Sequence, residues 1–182
     1  DVSVDGLQSE VEISTASGDV TVRNFDGEVE IKTASGDITL EALEGDIEVS
    51  VASGEIDVSQ ITGKIELSAA SGDIDIRDSQ GEFDLSCASG EIDAQQIELT
   101  SHSEFSVASG DLEVVLAKSP EFDLSLSTAS GELTLDYQGN PLVGKFEVVA
   151  RKDRGQINLP FKTDKEETFT RNGKEYVRKM FR

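Results

Sequence analysis

Seven carboxylates stand in one column of positions. Asp19, Asp37, Glu55, Asp73, Glu91, Asp111 and Glu132 each follow the glycine of an Ala-Ser-Gly tripeptide. A second column, Glu12, Glu30, Glu48, Glu66, Asp84 and Glu104, recurs beside it. Closely repeated carboxylates are oxygen donors for divalent cations and are also the groups that glycoside chemistry uses. The cation reading is kept for Glu30, Glu48, Glu66 and Asp84, as weak surface binding in which carboxylates on adjacent rungs share an ion. Buried calcium between turns is not expected. Calcium-binding β-rolls use Gly-Gly-x-Gly-x-Asp loops that wrap carbonyls around the ion, whereas each corner here has one glycine and one acid. The plainer role of both columns is a charged face that keeps sheets from associating laterally. For glycoside chemistry, so acidic a surface singles out no particular pair.

The remaining reactive groups are few. One His and one Cys cannot build a His-based metal site or a disulfide framework within one chain. His102 falls where the repeat lengthens, so it belongs to an out-of-line loop or bulge. Cys87 takes the place filled by Thr33, Val51 and Ala69 in other repeats, which makes it a small packing residue. No catalytic residue and no cofactor is assigned, and the chain is read as a non-enzyme.

The elements that hold these residues follow from the period. The seven Ala-Ser-Gly glycines are Gly18, Gly36, Gly54, Gly72, Gly90, Gly110 and Gly131, with four intervals of 18 residues and then 20 and 21. Gly27, Gly45, Gly63 and Gly81 bisect the regular intervals. Each half reads Gly, acid, apolar, any, apolar, any, any, apolar, any. Apolar residues two apart share one face of a strand, and glycine permits a sharp corner. Stepping by nine from Ile38 reaches Ile47, Ile56, Ile65, Ile74 and Phe83, all apolar. Stepping by six reaches Glu44 and Ser50, which excludes a three-sided coil.

The predicted fold is therefore an all-β, single-domain parallel β-solenoid with two short strands per rung. About eight rungs at ~4.8 Å give a rod of roughly 40 Å. Coil handedness does not follow from the pattern. Val2, Val4, Leu7, Val11 and Ile13 fit the first rung, and Gly155, Ile157 and Leu159 a degenerate last one. The final apolar place is large in one half (Leu7, Phe25, Leu43, Ile61) and Ala in the other (Ala16, Ala34, Ala52, Ala70, Ala88, Ala108, Ala129). The cross-section should then be pinched at the Ala-Ser-Gly edge, with serines bonded to neighbouring corner backbone. Phe25, Phe83, Phe105 and Phe122 are expected in the core.

Residues 1–149 form the predicted repeat body. Residues 150–182 form a degenerate last rung plus a basic cap or hairpin around Asn172-Gly173, with Pro160 between the two. That second segment carries 10 Lys or Arg and 5 Asp or Glu, a net +5. Against −21 for the chain, the body carries −26, which argues against nucleic-acid binding. The basic segment covers the last rung or docks on an acidic flank or an anionic envelope polymer. No apolar run approaches the ~18 residues that span a bilayer. The chain begins with Asp and its first rung has no polar cap, so a leader or anchor is expected to have preceded it.

The recurring Thr-Ala-Ser-Gly-Asp-Ile-x-Leu unit, as in Thr33 to Leu40, resembles the β-strand-repeat family of bacterial cell-envelope proteins that carries an adhesin label and whose function is unknown. The resemblance runs from Val2 to about Leu159 and brings no catalytic residues. It implies an extracytoplasmic solenoid, and with the repeated rungs the chain is read as an adhesin-like or scaffolding module toward an envelope glycan, a protein or another copy, the loose divalent cations being the separate reading of the acidic columns. The alternative is a rod that self-assembles end to end. A carbohydrate-active β-helix enzyme comes after both. Its cleft would lie at Ala94 to Phe105, Val115 to Asp123 or Tyr137 to Lys145.

Overall fold

A computed structural model describes residues 1–6, 8–140, 145–159 and 162–181. Leu7, Pro160 and Arg182 lie outside the described residues, as does 141–144 within the stretch from Tyr137 to Lys145. Every described element is a strand. The strands form one 16-stranded sheet folded into two facing layers, a parallel β-solenoid of about eight turns.

The 18-residue period appears directly as strand register. In the first layer Val20, Ile38, Ile56, Ile74 and Ile92 stand one above another. In the second layer Val29, Ile47, Ile65 and Phe83 do the same. All nine are buried, and each contributes about 1.5–3 kcal/mol by leaving water. In three rungs the two predicted short strands are one bent strand of 14 residues, Val20–Thr33, Ile38–Val51 and Ile56–Ala69, because pairing continues around the wide corner. Later rungs divide, as in Ile74–Arg77 and Gln80–Cys87.

The two halves of a rung are not equivalent, and this corrects the expected core. At the wide corner Asn24, Ala42, Gln60, Asp78 and Gln96 take left-handed φ values between 51° and 58°. One such residue shifts the in–out alternation by one place, so Phe25, Leu43, Ile61 and Ile97 turn inward. The other half has no such residue and alternates without a break. Its inward residues are therefore Thr33, Val51, Ala69, Cys87, Val107 and Thr128. Ala16, Ala34, Ala52, Ala70, Ala88 and Ala108, expected in the core, are exposed one place further on. They line a shallow open groove of about 920 Å³ beside Ser14, Ser50, Ser68 and Ser86.

Phe25, Phe83 and Phe105 are buried as expected, but Phe122 is 40% exposed. It lies in the connection between Leu112–Leu116 and Leu124–Thr128, where no strand partner draws it inward. Two buried serines replace apolar residues of the core columns, Ser79 at the wide corner and Ser103 at the start of a second-layer strand. Ser79 Oγ accepts the Ile61 N–H at 3.1 Å and donates to the Arg77 carbonyl at 2.9 Å. Ser103 Oγ accepts the Phe83 N–H at 3.1 Å and donates to the Ser101 carbonyl at 3.3 Å. Each hydroxyl satisfies backbone that the corner would otherwise strand.

At the far end Gly155–Asn158 pairs in parallel with Gly131–Asp136 in the first layer. In the second layer Phe146–Arg151 is followed by two antiparallel strands, Lys174–Phe181 and Lys165–Arg171. Asn172 and Gly173, at φ 52° and 73°, make the tight hairpin turn between them.

Candidate functional site

The corners join rungs chiefly by backbone. Gly36 N–H donates to the Ser53 carbonyl at 3.2 Å, and Ala52 N–H to the Thr33 carbonyl at 3.1 Å; the same pair of bonds recurs along the edge. Serine hydroxyls contribute less than expected, with Ser35 Oγ to the Ala16 carbonyl at 3.4 Å.

The acids after glycine have a structural role that their spacing did not disclose. Glu55 N–H donates to Asp37 Oδ1 at 3.0 Å, Glu91 N–H to Asp73 Oδ1 at 2.8 Å, and Glu132 N–H to Asp111 Oδ1 at 2.7 Å. Asp37 N–H donates to Asp19 Oδ1 at 3.2 Å. The bond runs from one rung's backbone to the aspartate of the rung before. The signal was present in the column as an alternation of Asp with Glu from Asp37 to Glu132. Replacing Asp73 by alanine should cost about 1 kcal/mol, the usual worth of a side-chain oxygen capping a backbone N–H. Asp73→Asn keeps the oxygen and removes like-charge repulsion, so it should match or exceed the parent. Thermal unfolding of the two variants checks the ordering.

On the same side, carboxylate oxygens of Glu55, Asp57 and Asp75 lie within 4.8 Å of one another. Arg77 Nη2 meets Asp75 Oδ1 at 3.2 Å. Three oxygen ligands at such range are a donor set for a hard cation, though exposed acids often gather without one. Sequence reasoning passed over Asp57 and Asp75 because their column begins as Thr21 and Thr39 and turns acidic part-way. Glu55 titrates above its ordinary range, first through the Asp57 charge and then through burial. Glu91 is raised first by burial and then by Asp111 and Asp73.

These shifts set the sign of a pH effect. Just above the ordinary glutamate value of 4.5, the folded chain still holds protons that the unfolded chain has released. Folding is then favoured at the acid side of that window and weakens as pH rises through the raised values. The contribution of Glu55 and Glu91 should therefore grow as pH is lowered toward about 5, against the opposite contribution of Asp153 and Glu167, whose carboxyls Arg151 and Lys165 hold down. Relative to the parent, Glu55→Gln combined with Glu91→Gln should gain Tm at about pH 7 and lose that gain toward about pH 5, and a difference that does not change with pH would contradict the assignment.

The cation column read from the sequence lies on the outer face of the second layer. Glu30, Glu48, Glu66, Asp84 and Glu104 are register neighbours there. Lys32 pairs with Glu30 and Lys64 with Glu66, so basic groups are interleaved with the acids. Glu48 and Glu66 lie with Glu28, Glu30 and Asp46 around a hollow of about 210 Å³. Cys87 is 3% exposed and its Sγ contacts the Gly72 carbonyl at 3.2 Å. Burial pushes its thiol up, which suits a packing residue. His102 is exposed just before Ser103–Val107.

The irregular connections share one edge. The bends before Ser103, the stretch from Ala117 to Asp123, and the turn at Tyr137–Asn140 all follow first-layer strands at the wide corner. The Ala-Ser-Gly edge stays regular. The family described as Toastrack DUF4097 matches the chain over residues 1–62 and again over 45–159. The chain belongs to the Toastrack family. Toastrack domains are β-solenoids of unknown function and are not a known enzyme family. No curated protein and no solved structure matches the chain. Together the two Toastrack matches take in the repeat array and the strand Gly155–Asn158. No described helix is long and apolar enough to cross a membrane.

Proposed function

We propose that this Toastrack chain is a non-catalytic, adhesin-like or scaffolding module of the bacterial cell envelope, acting outside the cytoplasm. The supporting observation is the unbroken 18-residue register from Val2 to Ile92 in the first layer. It repeats each outward position every ~4.8 Å. A grid of that kind engages repetitive partners, such as an envelope glycan, a surface protein or another rod, by many weak contacts at once. Loose divalent cations occupy the Glu30, Glu48, Glu66 and Asp84 column at millimolar concentration, with Lys32 and Lys64 holding the affinity down. The hairpin weighs against rods joined end to end at that end of the stack, because its strands are antiparallel and its outer strand, Lys165–Arg171, is heavily charged.

The test is binding of the purified chain to isolated envelope glycan and protein fractions. Glu48→Lys, Glu66→Lys and Asp84→Lys should each weaken binding about two- to threefold, and the triple variant by about tenfold or more. Loss confined to substitutions in Thr100–His102 or Ala117–Asp123 would replace the grid by a local site.

A further inference from the structure

Charge is segregated along this rod, and the two signs share one edge. Arg151, Lys152, Lys165, Arg178 and Lys179 each pair with an acid. Among the described residues of this segment Arg154, Arg171 and Lys174 hold no such partner, nor does Lys162 in the connection before Lys165–Arg171. Arg171 and Lys174 face each other across the hairpin next to the Asn172-Gly173 turn. Arg154 stands where the other rungs have the serine of Ala-Ser-Gly, and its carbonyl accepts the Gly131 N–H at 3.2 Å. The two turns abut, since Lys152 N–H donates to the Glu175 carbonyl at 3.0 Å. They enclose a notch of about 410 Å³ lined by Lys152, Asp153, Gly173, Lys174 and Glu175. The result is a cationic tip at the end of the Ala-Ser-Gly edge.

The rest of that edge is the column Asp19 to Glu132. Among the described residues no lysine or arginine forms an ion pair with any of its seven members. Within its own molecule the tip adjoins only the last member, Glu132, and cannot reach the Asp37–Glu91 part of the column. From Gly54 the glycine column climbs through Gly72, Gly90, Gly110 and Gly131 to Gly155, five rungs or ~24 Å. That exceeds the reach of any side chain. A second molecule brings the two together without that constraint.

We propose that the Arg154–Arg171–Lys174 tip of one molecule docks on the Asp37–Glu55–Asp73–Glu91 edge of a second copy. The inference deepens the scaffolding reading and rests on it, naming the partner as another rod and the contact as tip on edge. The contact joins unlike surfaces, so one docking leaves a tip and an edge free and growth continues past the dimer. Its salt dependence has two sides. Each molecule carries −21, so long-range repulsion opposes contact when the screening length is long. At about 0.1 M salt the Debye length is ~10 Å, which mutes that repulsion while close pairs persist. Association should peak near that ionic strength and fall on either side.

The experiment is sedimentation velocity of the whole chain over a wide concentration range at several salt concentrations. Wild type should shift to larger species with concentration. The tip variant R154E/R171E/K174E and the edge variant D37N/E55Q/D73N/E91Q should each associate at least about tenfold more weakly. The edge variant keeps the side-chain oxygens that cap the next rung, and a Tm no lower than the parent's verifies its fold. Mixing the tip variant with E55K/E91K should restore association. A wild type that stays monomeric throughout, or association that persists in both variants, overturns the proposal. So does retention on a polyanionic resin that needs the tip without any self-association. Envelope binding is measured on the same samples. A monomeric wild type that still binds envelope material defeats the tip contact alone, whereas self-association without envelope binding defeats the adhesin reading alone.

Discussion

Gly63→Ala should remove about 3 kcal/mol or more and separate the rungs on either side of it. Gly63 has φ +145°, and a Cβ there would stand 1.9 Å from the Gly45 carbonyl oxygen and 2.8 Å from its carbon. The obstacle is backbone of the preceding rung, held by the same register that aligns Gly45 with Gly63. Relief would require the rungs to part, which also breaks the bonds on both sides. Backbone strain in this region alone costs of order 1–3 kcal/mol, and the clash adds to it. Gly139→Ala is the control. Gly139 has φ +73°, and a Cβ added there would meet no atom within 4 Å, so the substitution should lose only about 1 kcal/mol. Equal losses at the two sites in thermal or denaturant unfolding would mean that rung contact is not what excludes a side chain.

Phe105→Ala should cost about 3–5 kcal/mol, the range for deleting a fully buried aromatic. Phe105 is 0% exposed and stacks on Phe83 with ring centroids 6.0 Å apart. It follows Ser103, a hydroxyl set in the core column, and the irregular bends before that strand. The ring therefore anchors the first rung after the period breaks. In a stack where each rung touches only its neighbours, this loss should loosen the C-terminal rungs before the N-terminal ones. Hydrogen exchange should show faster exchange beyond Val107 with little change before Cys87. Uniform loss along the chain would indicate a single cooperative unit instead.

What the sequence disclosed is what strict periodicity encodes. The nine-residue steps from Ile38 to Phe83 are the core ladder, because alternation and corner glycines leave a two-layer coil as the arrangement that buries them all. The hairpin at Asn172-Gly173 was legible from turn chemistry. The Ala column was misplaced because the two halves look alike as letters and differ in one dihedral. Asn24, Ala42, Gln60, Asp78 and Gln96 share no residue type that announces a left-handed φ, although Asn and Asp tolerate it best. Phe122 was misplaced because hydrophobicity alone does not tell a loop residue from a strand residue where the period lapses.

The surface was less legible than the core. Its acids read as two columns of like charge, while the structure divides the first into aspartates that cap backbone and glutamates that do not. The donor set at Glu55, Asp57 and Asp75 crosses two columns and emerges only in three dimensions. The unpaired tip does so as well. Net charge showed that the C-terminal segment is basic, but only the ion pairs separate Arg154, Arg171 and Lys174 from the cations already satisfied.

On the proposed function the regular rungs carry the activity by repetition. Deleting Asp37–Gly54 tests it most directly, since this joins Gly36 to Glu55 and preserves both the Ala-Ser-Gly-acid corner and the register. The shortened rod should fold with an unchanged circular dichroism spectrum per residue. Its binding to isolated envelope fractions should fall by a graded, severalfold amount that grows when a second rung is removed. Binding that is untouched by the deletion, or abolished outright in a rod that remains folded, would contradict the claim and place the activity in one local site.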